Sequence, residues 1–274
     1  MYIAIDIGGT KTLLALFNEK GRLVKRLKMK SYQEQDKWLK ELSRHIHRVL
    51  PLRRKTIKAI TISYPGVLTN GHPGKAPNLP KWDGAAIEAC IKSLFIYNRV
   101  NCNIYYKNDA DLGALYECSP YSGKTIYLAF GTGIGGGIVR SGHLSRESAD
   151  FEPGHMMKAY KGKRMEWEKI ASSKAIRAAN KDLDVTKIEA KKALDDVACR
   201  MEVGLVDLIK KYEPNQIVLS GPIAAVFPGF HDTLVKLLDV SLGKRYEVPP
   251  IYAGKKPQES VIYGAYLYGK SKNS

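Results

Sequence analysis

The fold turns on residues 3–23, "IAIDIGGTKTLLALFNEKGRL". Ile3, Ile5 and Ile7 alternate with other residues, which predicts a strand over 2–7. Gly8 and Gly9 end that strand, and Thr10 and Lys11 follow. A second apolar run covers 12–17, "NEKG" is a turn, and residues 22–29 read as a third strand. The plan recurs at 126–144, "IYLAFGTGIGGGIVRSGHL", at an offset of 123 residues. Ile126 falls on Ile3, Gly131 on Gly8 and Ile138 on Ala15, and the second copy is two residues shorter at its last turn. Agreement in both element order and turn position reads as a duplication. It predicts two lobes built on one βββ plan with a cleft between them.

A glycine turn after a buried strand brings backbone N–H groups close to a phosphate with no Cβ in the way. Thr10 adds a hydroxyl and Lys11 a positive charge, and Asp6 is placed to hold Mg²⁺ through water. The plain alternative is an ordinary hairpin turn. Two such loops facing across a cleft would grip a polyphosphate chain from both sides. "GTGIGG" matches the dinucleotide fingerprint at Gly131, Gly133 and Gly136, but that fingerprint must open a helix, and "GIVRSGHL" continues as a strand. "SGKT" at 122–125 resembles the end of a P-loop, yet Cys118 holds the required glycine position and a strand follows.

"YYKNDADLGALYE" puts Asn108 and Asp109 at a strand end, just before a helix. Asp109 can be a simple N-cap. Asp111 can serve the cap equally well, which leaves Asp109 to accept the proton of an alcohol attacking phosphorus. Glu152 and His155 in "DFEPGHMM", Glu168 in "EWEKIASS" and Asn78 in "APNLPKW" supply groups suited to the vicinal hydroxyls of a sugar. Further along, Leu194, Val197, Met201, Leu205 and Leu208 form a core-facing helical stripe. Trp38, Leu42, Ile46 and Val49 form another on a basic helix, and residues 259–269 read as a closing helix.

The 274 residues suit one large domain or two moderate lobes. No apolar run approaches the length of a membrane span, and "MYIAID" has neither the basic region nor the cleavage site of a signal peptide. Cys90, Cys102, Cys118 and Cys199 form no CxxC pair, so the expectation is a reduced, cytoplasmic setting with all four buried as small hydrophobes. The net charge of +17 is uneven: residues 20–58 hold 14 Lys and Arg against Glu34, Asp36 and Glu41. Such a field attracts polyanions. The plainer reading is a solvated surface, because the stretch lacks the interleaved aromatics of a stacking platform.

In this order, "DIGGTK", "PGVLTNG", "APNLPKW", "NDADLGAL", "FGTGIGGGIV", "EPGHM", "EKIASSKAI", "IVLSG" and "YGAYL" resemble the ROK family. That family groups bacterial sugar kinases with sugar-responsive repressors, and the resemblance covers nearly the whole chain. It implies an α/β fold, the two-lobed actin-like ATPase (ribonuclease H-like) architecture with duplicated βββαβα lobes and a central cleft. Residues 1–107 with 258–274 would form the small lobe and 108–257 the large lobe, which bears a homodimer surface. The implied activity is transfer of the γ-phosphate of ATP, with Mg²⁺, to the 6-hydroxyl of a hexose. Glucose comes first; an N-acetylated hexosamine or fructose is the alternative acceptor, and polyphosphate the alternative donor. Asp109 would be the general base. Asn78, Asn108, Asp109, Glu152, His155 and Glu168 would hold the sugar. Gly8, Gly9, Thr10 and Lys11 with Gly131, Thr132 and Gly133 would hold the donor phosphates, and Gly221 would lie beside the adenosine.

Many members follow the "EPGH" histidine with a cysteine cluster that binds structural zinc. The stretch "MMKAYKGKRMEWEKIA" has no cysteine, so no zinc is expected, and Trp167 is placed to fill the volume instead. "IDIGGT" starts at residue 5, which leaves no room for a repressor's helix-turn-helix, so binding to nucleic acid is not expected.

Overall fold

The computed structural model describes residues 1–50, 56–76, 79–180, 184–256 and 259–273. In chain order come β1 (Tyr2–Ile7), β2 (Lys11–Phe17), β3 (Leu23–Lys30), α1 (Gln35–Val49), β4 (Ala59–Ser63), β5 (Leu68–Thr69) and β6 (His72–Pro73). Then follow α2 (Gly84–Tyr97), β7 (Asn103–Lys107), α3 (Asp109–Glu117), β8 (Lys124–Phe130), β9 (Ile134–Arg140) and β10 (His143–Leu144). β11 (Met157–Tyr160), β12 (Lys163–Glu166), α4 (Trp167–Ala171), α5 (Ser173–Ala179) and α6 (Lys191–Tyr212) come next. β13 (Gln216–Ser220), α7 (Phe227–Leu242), β14 (Ile251–Ala253) and α8 (Ser260–Ser271) complete the order. The chain divides into two compact units, Met1–Tyr116 with Glu259–Ser274, and Glu117–Gln258.

The first unit holds a five-stranded sheet in the order β3-β2-β1-β4-β7. β1, β2 and β3 pair antiparallel, and β4 and β7 add in parallel. Ile3, Ile5 and Ile7 enter one buried cluster with Trp38, Leu42 and Ile46 of α1. α1 therefore buries the stripe that its sequence spacing predicts. The Trp38 indole donates to the Thr12 hydroxyl at 3.0 Å, and Thr12 bonds Ser31 at 2.8 Å, so the buried polar atoms beneath this helix are satisfied. The other face of β1 carries Tyr2, which meets Tyr266 of α8 edge-on at 5.5 Å. The last helix therefore belongs to the first unit, and it crosses α3 closely: a Cβ on Gly264 would lie 1.7 Å from the Leu112 carbonyl oxygen.

The second unit repeats the sheet as β10-β9-β8-β13-β14, again with three antiparallel strands followed by two parallel ones. Its core gathers Ile126, Leu128 and Phe130 of β8 around the predicted stripe of α6. The two copies differ in one detail. Ile7 pairs with Thr12, whereas Phe130 pairs with Ile134, so the second glycine turn is one residue tighter.

Three two-residue hairpin turns have both central residues at positive φ: Asn70–Gly71, Ser141–Gly142 and Lys161–Gly162. This is the turn geometry that matches strand twist. Among the described residues no helix is long and apolar enough to cross a membrane. All four cysteines are free, but their expected burial needs correction. Cys118 is buried, Cys90 and Cys102 are half-buried, and Cys199 is exposed on the side of α6 away from its apolar stripe.

Candidate active site

Asp6 of β1, Ser63 of β4 and Asp109 just past β7 lie at the carboxyl ends of the parallel strands of the first unit. Open α/β sheets present ligand sites at such ends. The Asp6 carboxyl is pushed up to about 6, first by burial and then by the Asp109 charge, while a hydrogen bond from Ser63 and the Lys11 charge pull the other way. The glycine turn beside it is fastened twice. Gly8 N–H donates to Lys11 O at 3.0 Å, and Ser31 N–H donates to Thr10 O at 3.0 Å. Thr10 and Lys11 are exposed, and Gly8 and Gly9 are half-buried.

The cap of α3 is neither of the expected residues. Asn108 Oδ1 accepts from Asp111 N–H at 2.6 Å and satisfies the first turn. Its amide nitrogen keeps its capacity to donate. Asp111 is buried with Lys107 Nζ 3.9 Å away. Asp109 is exposed; its Oδ1 accepts from Ala110 N–H at 2.8 Å. Asn78 lies outside the described residues.

In the second unit Gly131 N–H donates to Gly133 O at 2.9 Å and tightens the loop at the end of β8. A Cβ on Gly133 would lie 2.4 Å from Glu168 Oε2, and one on Gly154 would lie 3.1 Å from the same oxygen. The Glu168 carboxylate is thus packed onto bare backbone at the glycine loop, which is the physical reason for glycine there. His155 Nδ1 lies 3.3 Å from Glu166 Oε1, and Glu166 Oε2 lies 2.7 Å from Lys169 Nζ. The Lys169 contact, followed by His155, holds the Glu166 carboxyl below its ordinary range. Glu152 stands just ahead of the turn Pro153–His155 and is exposed. No motif in the sequence singles out Glu166; its one sequence signal is the hairpin turn at Gly162, which precedes its strand.

A cavity of about 800 Å³ adjoins this loop, lined by Gly131, Thr132, Lys174, Arg177, Val185 and Pro222 among others. Gly221, at φ +85, turns the chain out of β13 beside it; a Cβ there would meet Phe130 O at 2.4 Å. The volume is that of a nucleotide-sized site. A second cavity, about 680 Å³ between α1 and α2, is lined by none of the predicted site residues.

Among the described residues His155, Glu166 and Glu168 are the group whose donor atoms could hold a metal ion, all lying within 4.8 Å of one another. No cysteine belongs to it. Trp167, next to Glu168, is fully buried and donates to Arg200 O at 3.0 Å.

The ROK family model matches residues 2–271. The chain is 27% identical over 258 residues to the kanosamine kinase of Amycolatopsis mediterranei strain S699, over 83% of this chain and 82% of that one. It is 25% identical over 190 residues to the xylose repressor of Bacillus spizizenii strain W23, over 59% of this chain and 50% of the repressor. Among solved structures, the ROK hexokinase of Thermus thermophilus superposes with a TM-score of 0.76 at 22% identity, covering 100% of this chain and 99% of that one.

Proposed function

The chain belongs to the ROK family, and from that premise we propose that it is a sugar kinase transferring the γ-phosphate of ATP to the 6-hydroxyl of a hexose, glucose first. The observation that carries this reading is the pairing of Asp6 and Asp109 at the carboxyl ends of parallel strands, beside a doubly fastened glycine turn. The match to the kanosamine kinase runs over 83% of this chain and 82% of that one, and it supports the kinase reading. The resemblance adds a cytoplasmic setting and a homodimer.

In this reading the exposed Asp109 carboxylate accepts the proton of the 6-hydroxyl as it attacks phosphorus. Asn108 donates its amide to a ring hydroxyl, and Glu152, His155 and Glu168 hold others, together with Asn78. Glu166 orients the His155 ring through Nδ1 and leaves Nε2 for the sugar. Thr10 and Lys11, with the backbone at Gly8, Gly9, Gly131, Thr132 and Gly133, neutralise charge on the transferring group. Phosphoryl transfer needs little covalent help, so positioning and charge supply most of the acceleration. ATP fits the cavity beside Gly131, where Ala178, Val185 and Pro222 give a base an apolar wall beside Gly221. Mg²⁺ fits Asp6, whose charge is costly beside that of Asp109; when bound it would screen the donor phosphates. The +17 charge favours polyphosphate as a second donor.

A coupled assay tests the proposal, with glucose, N-acetylglucosamine, N-acetylmannosamine, fructose, allose and kanosamine against ATP and polyphosphate in parallel. Turnover of glucose with ATP is expected. No turnover of any sugar with either donor would refute a kinase.

A further inference from the structure

The cavity beside Gly131 is lined by two cationic side chains, Lys174 and Arg177, and their position follows from how α5 is fastened. The Ser173 hydroxyl donates to Phe130 O at 2.6 Å, and Lys174 N–H donates to Gly131 O at 3.3 Å. Ser172 caps the same turn by accepting from Ala175 N–H at 3.2 Å. The first turn of α5 is therefore tied directly to the end of β8 and to the loop. Lys174 and Arg177 are three apart, hence on one helix face, and both are exposed on the wall of the cavity.

The remaining walls sort the ligand. Ala178, Val185 and Pro222 are apolar. Asp184 is committed to its own turn, accepting from the Thr186 N–H at 3.0 Å and the Thr186 hydroxyl at 2.8 Å. That bonding holds its carboxyl below the ordinary range. Lys174 makes no ion pair among the described residues. A cavity with a glycine loop at one edge, an uncompensated ammonium at its rim and an apolar wall takes an anion that carries a flat apolar group.

We infer that Lys174, supported by Arg177 one turn on, holds the phosphate chain of the nucleotide donor at the rim of the 131–133 loop and sets donor affinity. This rests on the kinase reading above. A lysine is a compact point charge suited to phosphate, and its backbone bond to Gly131 keeps the stem of the side chain beside the loop.

The test compares wild type, Lys174→Ala, Lys174→Arg and Arg177→Ala, by calorimetry with MgATP and by donor and sugar kinetics. Lys174→Ala is expected to weaken MgATP binding and raise the donor KM by ~10-fold, the effect of one lost charge-assisted contact. The sugar KM stays level, and Lys174→Arg recovers most of the loss. Arg177→Ala shows a smaller loss in the same two quantities. Unchanged MgATP affinity in Lys174→Ala, or a sugar KM rising in step with the donor KM, overturns the assignment. Wild type that binds MgATP yet phosphorylates no sugar overturns the kinase reading alone, and the calorimetric comparison still decides this inference. Wild type that binds no MgATP overturns both.

Discussion

At the scale of single residues, Asp6 is the clearest case of structure given up for chemistry. Its carboxyl ordinarily titrates near 3.8 and is raised to about 6, chiefly by burial and then by Asp109. The folded protein therefore holds this proton more tightly than the unfolded chain does. Its stability falls as pH rises from about 4 to about 6, and the cost of the buried charge stays constant above that. In metal-free protein, Asp6→Asn should be more stable than wild type at about pH 7.5, by on the order of 1–3 kcal/mol, and so melt higher, and should match it at about pH 4. Thermal melts across this range check it; a lower melting temperature at pH 7.5 would contradict the origin given for the shift. Asp6 was legible in the sequence because it sits one step before the glycine turn that ends an alternating strand. The Asn108 cap was not, since Asn108, Asp109 and Asp111 all suit a cap and only the geometry of the first turn selects one. Lys174 was also invisible: its meaning comes from a bond to Gly131, 43 residues away in sequence.

At the scale of elements, α4 carries Glu168 and is held by Trp167 against α6. A Cβ on Gly204 of α6 would lie 2.1 Å from the Trp167 ring. Intrinsic helix propensity makes Gly→Ala favourable by about 1 kcal/mol, while overpacking costs about 1–3 kcal/mol. With so deep an overlap the overpacking wins. Gly204→Ala should lower the melting temperature and also weaken sugar binding, because the indole cannot move without moving α4. Calorimetry with glucose and a thermal melt check both effects, and a stabilised variant would show that the two helices are not closely packed. The stripe of α6 and the stripe of α1 were readable because a 3.6-residue period survives in the sequence alone. The repeat was readable because two glycine turns recur at one offset in the same order of elements. Its one-residue difference in register was not, because register is decided by pairing between strands and not within either one. The β11–β12 hairpin has only Gly162 to mark it in the sequence, and Glu166 depends on that one signal.

At the scale of the whole molecule, one sheet plan is used twice, and each unit ends its first strand on a glycine turn. Asp109 belongs to the first unit, and Glu168, the 131–133 loop and Lys174 to the second. The sequence motifs are accordingly scattered along the chain and not gathered in one segment. The account stands on Asp109 as the proton acceptor of a sugar alcohol. The most direct measurement is turnover of Asp109→Asn with glucose and ATP, alongside glucose binding by calorimetry. The account predicts binding close to wild type and a kcat lower by about 10²–10⁴. Turnover near that of wild type, with glucose still bound, would contradict it.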